Sequence, residues 1–351
     1  MIPSGLHGTN GVPPCVSRKV LVMHIMPRLL SGLQAVIPST DDIKRITVFF
    51  NQTIKRLLSL RESCSNAAAY LMIGLMPIEA FLDISVLQMF GAVGRLKNDH
   101  PIHMTAKRQL SIPERSQGWY TWALDIADKY NIRDIAIQVL YGDISKSSWK
   151  NTVTSAVNSK WYYEIIDKCM SSSSLEYLDL TKIQWGKAHF MWPVKVESRL
   201  RTAAAYRAKL ITGTYILQIH NVKFNLQTNP LCPLCNTEAE DVPHFLFCCP
   251  ATQKVRDTFQ VRLEESNILI STKDIDKKEM TRMMLNAGPS PKNKCKSNDH
   301  KENRMITIPC KCMKLSNTVN SMILGLHNKR KEILGLKKKA KKKTKKWTTK
   351  Q

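Results

Sequence analysis

The chain has 351 residues, of which 43% are hydrophobic, and this excludes a wholly disordered protein. Lysine and arginine number 53 against 28 acidic residues, so the formal net charge is +25 and a polyanionic partner is expected, nucleic acid before a membrane surface. The longest uncharged apolar stretch, residues 63–78, is shorter than a ~20-residue membrane span and contains Pro77. We therefore expect an intracellular protein with no transmembrane segment and no secretory signal.

Apolar residues at three- and four-residue steps predict a chain that is mainly α-helical. The first such pattern covers residues 41–60, with Ser39 or Thr40 as its N-cap and two aspartates in its first turn. A second helix is predicted from Pro77, and further helices are predicted at 119–130, 149–166 and 199–215. Strand-like alternation is scarce, so the fold class is mainly α.

Two polar stretches follow the helical part of the chain. Residues 286–303 are rich in Lys, Asn and Ser and contain two prolines, which predicts a linker. Residues 327–351 carry twelve basic residues and one acid. Because such a run repels itself and has little apolar surface to bury, we expect a disordered basic C-terminal tail. Its lysine clusters favour a nuclear location.

Four cysteines and a histidine crowd into residues 232–249. Cys232 and Cys235 form a Cys-Pro-Leu-Cys turn, His244 follows, and Cys248 and Cys249 come shortly after it. Three thiolates and one imidazole satisfy a tetrahedral Zn²⁺ and leave no open position, so the pattern predicts one structural zinc ion. Spacing alone leaves open whether Cys248 or Cys249 is the fourth ligand.

Basic residues on both sides of this segment are candidates for phosphate contacts. The helix predicted at 199–215 carries the first group, and a plain solvated face is the alternative interpretation. The candidates are Arg199, Arg201, Arg207 and Lys209 on the helix and Lys337, Lys338, Lys339, Lys341, Lys342, Lys343, Lys345 and Lys346 in the tail.

No active site is evident from the residues. Asp41 and Asp42 are the only adjacent aspartates, and helix capping explains them. A Gly-rich phosphate loop and a Gly-x-Ser-x-Gly elbow are both missing from the sequence. We therefore do not expect an enzyme.

The residues from Arg207 through the Cys/His segment resemble the zinc-binding segment that follows the reverse transcriptase of LINE-type (non-LTR) retrotransposons. Upstream, MPRLLSGLQAVIPSTDDI and TIKRLLSL are similar to the family's thumb. AAAYLMIGLMPIEAFLDISVLQMFGAV and SWKNTVTSAVNSKW are similar to its helical connector. The resemblance covers residues 20–263 and is most specific at 74–80 and 232–250.

In the family, the fourth zinc ligand is the cysteine immediately before a proline. The resemblance therefore implies the ligand set Cys232, Cys235, His244 and Cys249, which precedes Pro250. It also implies that the catalytic palm and the endonuclease would lie upstream of residue 1, so this chain is expected to bind RNA or DNA without synthesising it.

The resemblance and the composition together predict six regions. They are an irregular N-terminus (1–20), a thumb-like helical region (20–110), a helical connector (111–198), a basic helix with the zinc segment (199–263), a linker with short helices (264–326) and the disordered tail (327–351). The expected partners are RNA or DNA, and also the missing polymerase core or host chromatin. The alternative function is a helical scaffold whose zinc is purely structural and which does not bind nucleic acid specifically.

Overall fold

The computed structural model describes residues 11–112, 118–142, 144–192, 198–264, 276–289 and 311–335. The α-helices within these ranges are α1 (Pro14–Val20), α2 (Met26–Leu30), α3 (Thr40–Leu57), α4 (Asn66–Ile73), α5 (Ile78–Gly94), α6 (Pro101–Ser111), α7 (Trp119–Lys129), α8 (Arg133–Val139), α9 (Lys146–Met170), α10 (Ser198–Ile211), α11 (Gln218–Lys223), α12 (Gln253–Glu264), α13 (Lys277–Leu285) and α14 (Lys311–Ile333). A π-helical turn at Leu21–Ile25 joins α1 to α2.

The mainly α fold class is confirmed for this part of the chain. The described ranges hold no β-strand, and one isolated antiparallel bridge joins Leu231 to Ala239. Helix α3 begins as predicted, because the Ser39 hydroxyl accepts a hydrogen bond from the Asp42 amide at 3.2 Å. Helix α9 is longer than predicted.

The N-terminal helices pack around α5 and α9. The Trp149 side chain of α9 is buried and donates its indole N–H to the Leu87 carbonyl of α5 at 2.8 Å. Gly91 makes room for this ring, since a Cβ there would lie 2.2 Å from it. The apolar row of α9 that the four-residue spacing predicted is buried in the helical core, namely Val153, Val157, Trp161 and Ile165.

A polar network lies inside the same helical layer. Asp83 of α5 accepts hydrogen bonds from Tyr130 at 2.6 Å and from Lys129 at 2.8 Å. Trp161 donates to the Tyr130 hydroxyl at 2.9 Å, so the buried tyrosine oxygen is satisfied on both sides. The network ties α7 to both α5 and α9.

The C-terminal part of the chain differs from the prediction. We expected residues 264–326 to be a linker with short helices and the tail to begin at 327, yet α14 is a 23-residue helix that ends at Ile333. Its Val319, Ile323 and Leu326 are fully buried against the common core. This apolar face outweighs the basic character of residues 327–333. Residues 336–351, the rest of the predicted tail, lie outside the described ranges.

Among the described residues, no single helix is both long and apolar enough to cross a bilayer. Helices α4 and α5 taken together reach the required length and composition, with a bend of 67° between them.

Gly74 provides a test of the packing between α4 and residues 186–187. It ends α4 with φ +70°, and a Cβ would lie 2.1 Å from the Lys187 carbonyl oxygen. We expect Gly74→Ala to lower the free energy of unfolding by about 2–5 kcal/mol, through left-handed strain plus overpacking. Urea unfolding followed by circular dichroism measures this.

Gly32→Ala is the matched control. Gly32 has φ +84° but no atom within 4 Å of its would-be Cβ, so it should lose only the ~1–2 kcal/mol of backbone strain. Equal losses for the two variants would contradict the close backbone approach at Gly74.

Candidate metal centre

Four side chains converge at the segment that carries the cysteines. The ligand atoms of Cys232, Cys235, His244 and Cys249 all lie within 4.8 Å of one another. The Cys232 and Cys249 sulfurs are 3.8 Å apart, and the Cys235 sulfur lies 3.4 Å from Nε2 of His244. This arrangement could hold one metal ion such as zinc with three sulfurs and one nitrogen.

The first two cysteines are placed by a tight loop. The Leu231–Ala239 bridge closes the base of the loop, where the Cys232 amide donates to the Glu238 carbonyl at 2.7 Å. The loop turns at Asn236, whose φ of +56° is a left-handed conformation that asparagine tolerates well. Cys232 and Cys235 therefore face the same point.

A single π-helical turn, His244–Cys248, presents the other two ligands. The Cys249 amide donates to the His244 carbonyl at 2.9 Å, and the backbone becomes extended at Cys249. This change of direction brings the Cys249 sulfur to Cys232. Cys248 is half-buried and is not part of the group, so the geometry selects Cys249 where the spacing left two alternatives.

Two acids of the loop orient the histidine. Asp241 accepts a hydrogen bond from the His244 amide at 2.7 Å and so caps the π turn. The Glu238 carboxylate lies 3.1 Å from Nδ1 of His244. Because a carboxylate only accepts, Nδ1 donates to Glu238, and Nε2 faces the Cys235 sulfur and the position that a metal ion would take. Carboxylates commonly orient metal-binding histidines in this way, and the sequence analysis had not assigned Glu238 this role.

The three thiols differ in acidity. Burial raises the pKa of the Cys232 thiol to about 12 and also raises the pKa of Cys249. Burial acts in the same direction on Cys235, but hydrogen bonds from Thr237, Cys232 and His244 outweigh it and lower the pKa of Cys235 to about 6. An incoming metal ion must therefore displace protons from the two buried thiols.

The predicted phosphate-contacting residues of α10 do not share one environment. Arg199 is exposed, and Arg201 and Lys209 are half-buried. Arg207 is fully buried, which corrects its prediction as a nucleic-acid contact. Its guanidinium donates to the carbonyls of Leu285 and Ala287 at 2.7 and 2.6 Å, so it is occupied by the fold.

The second group of predicted nucleic-acid-binding residues is the set of lysines in the C-terminal tail. Lys337, Lys338, Lys339, Lys341, Lys342, Lys343, Lys345 and Lys346 all lie outside the described residues.

Comparisons with known proteins identify no relative. No family model, no curated protein and no solved structure matches this chain. The description of the fold and of the Cys/His group therefore rests on the structure alone.

The identity of the fourth ligand can be tested by exchanging neighbouring cysteines. We expect Cys249→Ser to reduce bound Zn²⁺ well below one ion per chain after dialysis, because a neutral hydroxyl replaces a thiolate. Cys248→Ser is the control and should keep the full metal content, measured by atomic emission. Metal loss in the Cys248 variant alone would contradict the assignment.

The lowered pKa of Cys235 predicts selective alkylation of the metal-free protein. At pH 7 the pH lies above the pKa of the half-exposed Cys235 thiol, about 6, so this group is mostly thiolate. Cys232, with a pKa of about 12, is protonated. Because the thiolate is the nucleophile, iodoacetamide should modify Cys235 first, as read by peptide mass spectrometry.

The rate of alkylation at Cys235 should fall as the pH is lowered from 7 to 5. Bound Zn²⁺ should protect this thiol from iodoacetamide. Faster modification of Cys232 than of Cys235 at pH 7 would contradict the assigned acidities.

Proposed function

We propose that this protein is a nucleic-acid-binding helical protein with one structural zinc ion. Three thiolates and an imidazole are a ligand set that zinc prefers, and they fill a tetrahedral site without leaving a position for substrate. The ion would stabilise a loop-rich segment that has few apolar residues of its own. This assignment rests on the Cys/His geometry and on the basic surface described next.

The observation that carries the proposal is a cluster of basic and aromatic side chains where α10 meets α14. We call it the α10–α14 basic surface and define it as Tyr206, Lys209, His327 and Lys331. Lys209 Nζ lies 5.3 Å from the Tyr206 ring centre, and that ring stacks on His327 at 3.8 Å. All four side chains are half-buried, so their positions are held by the surrounding helices.

Positive charges crowd together at this surface. Burial and, after it, the nearby charges of Lys331, Arg330 and Lys209 together lower the pKa of His327 to about 4. Burial likewise lowers the pKa of Lys209, with a contribution from Arg61. Such crowding of cations is relieved by an anion, and phosphate groups of a nucleic acid would supply it.

The overall charge favours nucleic acid as the source of those phosphates. The chain carries +25, and the lysine-rich run that starts at Lys337 follows the end of α14 in the sequence. Lysines that neutralise phosphates release counterions, so we propose salt-sensitive and weakly sequence-specific binding of RNA or single-stranded DNA. The lysine clusters also support a nuclear location.

The resemblance to the C-terminal region of LINE-type reverse transcriptases agrees with this function. As a proposal, the chain corresponds to the thumb, connector and zinc-binding segment of such a polyprotein. It would assist in holding template RNA or target DNA, with a polymerase core or chromatin as further partners, and would have no catalytic activity itself.

An apolar groove favours the second candidate, a helical scaffold. A cavity of about 550 Å³ opens between α2 and α5, and Met23 nearby is 67% exposed. The apolar residues lining it are Val22, Met26, Pro27, Leu30, Phe81, Ile84 and Met89. Apolar surface of this kind suits a protein partner, and under this interpretation the missing polymerase core would cover it.

A binding titration distinguishes the two functions. We expect the zinc-loaded protein to bind single-stranded RNA, and Lys209→Gln/Lys331→Gln to weaken binding while reducing the slope of log K against log salt by ~1.4, since ~0.7 counterion is released per contact. Fluorescence anisotropy across a salt series measures this.

Lys146→Gln/Lys150→Gln is the matched control, because it removes the same charge from exposed positions on α9. A shortened chain that ends at Gly335 removes the lysine-rich tail but keeps α14 whole, so it measures what the tail contributes to binding. If binding disappears with the tail while the Lys209/Lys331 variant binds normally, the affinity is generic polylysine electrostatics and the scaffold interpretation is favoured.

A further inference from the structure

The C-terminal end of α14 lies directly on the candidate metal loop. Arg330 donates from Nε to one oxygen of Glu240 at 2.6 Å and from Nη2 to the other at 2.8 Å. The Glu240 side chain is 1% exposed and the Arg330 side chain 15% exposed. This is a bidentate ion pair shielded from water, which makes it geometrically specific.

Glu240 is an integral part of the loop that presents the ligands. Its amide donates to the Pro230 carbonyl at 2.9 Å, and its carbonyl accepts from the Ile219 amide at 3.3 Å. The same carboxylate also accepts from the Gln218 amide at 2.9 Å. The position of Glu240 therefore depends on the loop that begins at Cys232 and on the start of α11.

A second connection runs from the last ligand to the middle of α14. The Cys249 carbonyl accepts a hydrogen bond from Arg256 of α12 at 2.5 Å. Val255 and Phe259 of the same helix pack against Gly325, where a Cβ would lie 2.9 Å from the Val255 side chain. Both ends of the ligand segment thus contact α14, one through an ion pair and one through α12.

We propose that metal binding and the docking of the C-terminal half of α14 are energetically coupled through Glu240 and Arg330. The proposal rests on the zinc site proposed above and adds a regulatory consequence. When the metal is bound, the loop holds Arg330 firmly; when it is removed, the loop opens more often and releases the end of the helix more often.

The physical basis of the coupling is the cost of a buried carboxylate. Without Arg330, the buried Glu240 carboxylate would keep only the hydrogen bond from the Gln218 amide. The ordered loop would therefore lose stability. Linkage is reciprocal, so whatever the metal adds to helix docking, the docked helix adds to metal affinity. Outer contacts of metal sites commonly change affinity by about 10–100-fold.

The test compares two neighbouring charge deletions in the full chain. Arg330→Gln removes the ion pair, whereas Lys329→Gln removes a charge whose acidic partner is Glu332 on the same helix. We expect Arg330→Gln to weaken Zn²⁺ binding about tenfold in competition with a chromophoric chelator, and Lys329→Gln to change it less than twofold. Glu240→Gln should repeat the Arg330 effect from the other partner.

Hydrogen exchange supplies the second measurement. Removing Zn²⁺ from the wild type should increase amide exchange at residues 326–333, while α9 stays protected as an internal reference. Arg330→Gln should show increased exchange there even with Zn²⁺ bound. Stoichiometric Zn²⁺ binding with unchanged exchange at 326–333, or wild-type affinity in both the Arg330 and the Glu240 variants, would overturn the coupling alone. A wild-type protein that binds no Zn²⁺ would overturn the zinc site as well.

Discussion

The buried guanidinium of Arg207 is the contact on which the C-terminal half of the fold depends. Its hydrogen-bond partners are the Leu285 and Ala287 carbonyls at the C-terminal end of α13 and the side chains of Ser316 and Asn320 on α14. Burial lowers the pKa of Arg207 to about 9, which expresses the cost of keeping this charge away from water. Since a buried charge is tolerated only when hydrogen-bonded, α10, α13 and α14 must take their positions together.

Helix α14 is therefore held at two polar points with an apolar face between them. Its first half satisfies Arg207, its buried Val319, Ile323 and Leu326 fill the core, and its last turn places Arg330 on Glu240. The metal loop lies at the second point and has too few apolar residues to be stable alone. A helix from elsewhere in the sequence thus completes this local structure, which could also hold a metal ion.

Sequence patterns predicted the features that depend on interactions between residues close together in the chain. The Ser39 cap and the four-residue apolar row of α9 depend on neighbours within a few residues, and the cysteine pattern lies within the single segment 232–249. The choice of Cys249 over Cys248 depends on where a π turn becomes extended, which spacing does not encode. Arg207 and Arg330 find partners about 80–110 and 90 residues away, so a basic helix pattern could not show that these charges are used internally.

Several arginines of the described chain are used inside the fold, whereas others, such as Arg199, are exposed. Arg18, Arg207 and Arg256 all donate to buried or half-buried carbonyls, and Arg330 forms the ion pair with Glu240. A planar fork with five donors suits such sites, whereas the compact ammonium of lysine is strongly hydrated. Lys55 is an exception, because it is buried and donates to the Glu62 carbonyl. A net charge of +25 therefore overstates the positive charge that is exposed at the protein surface.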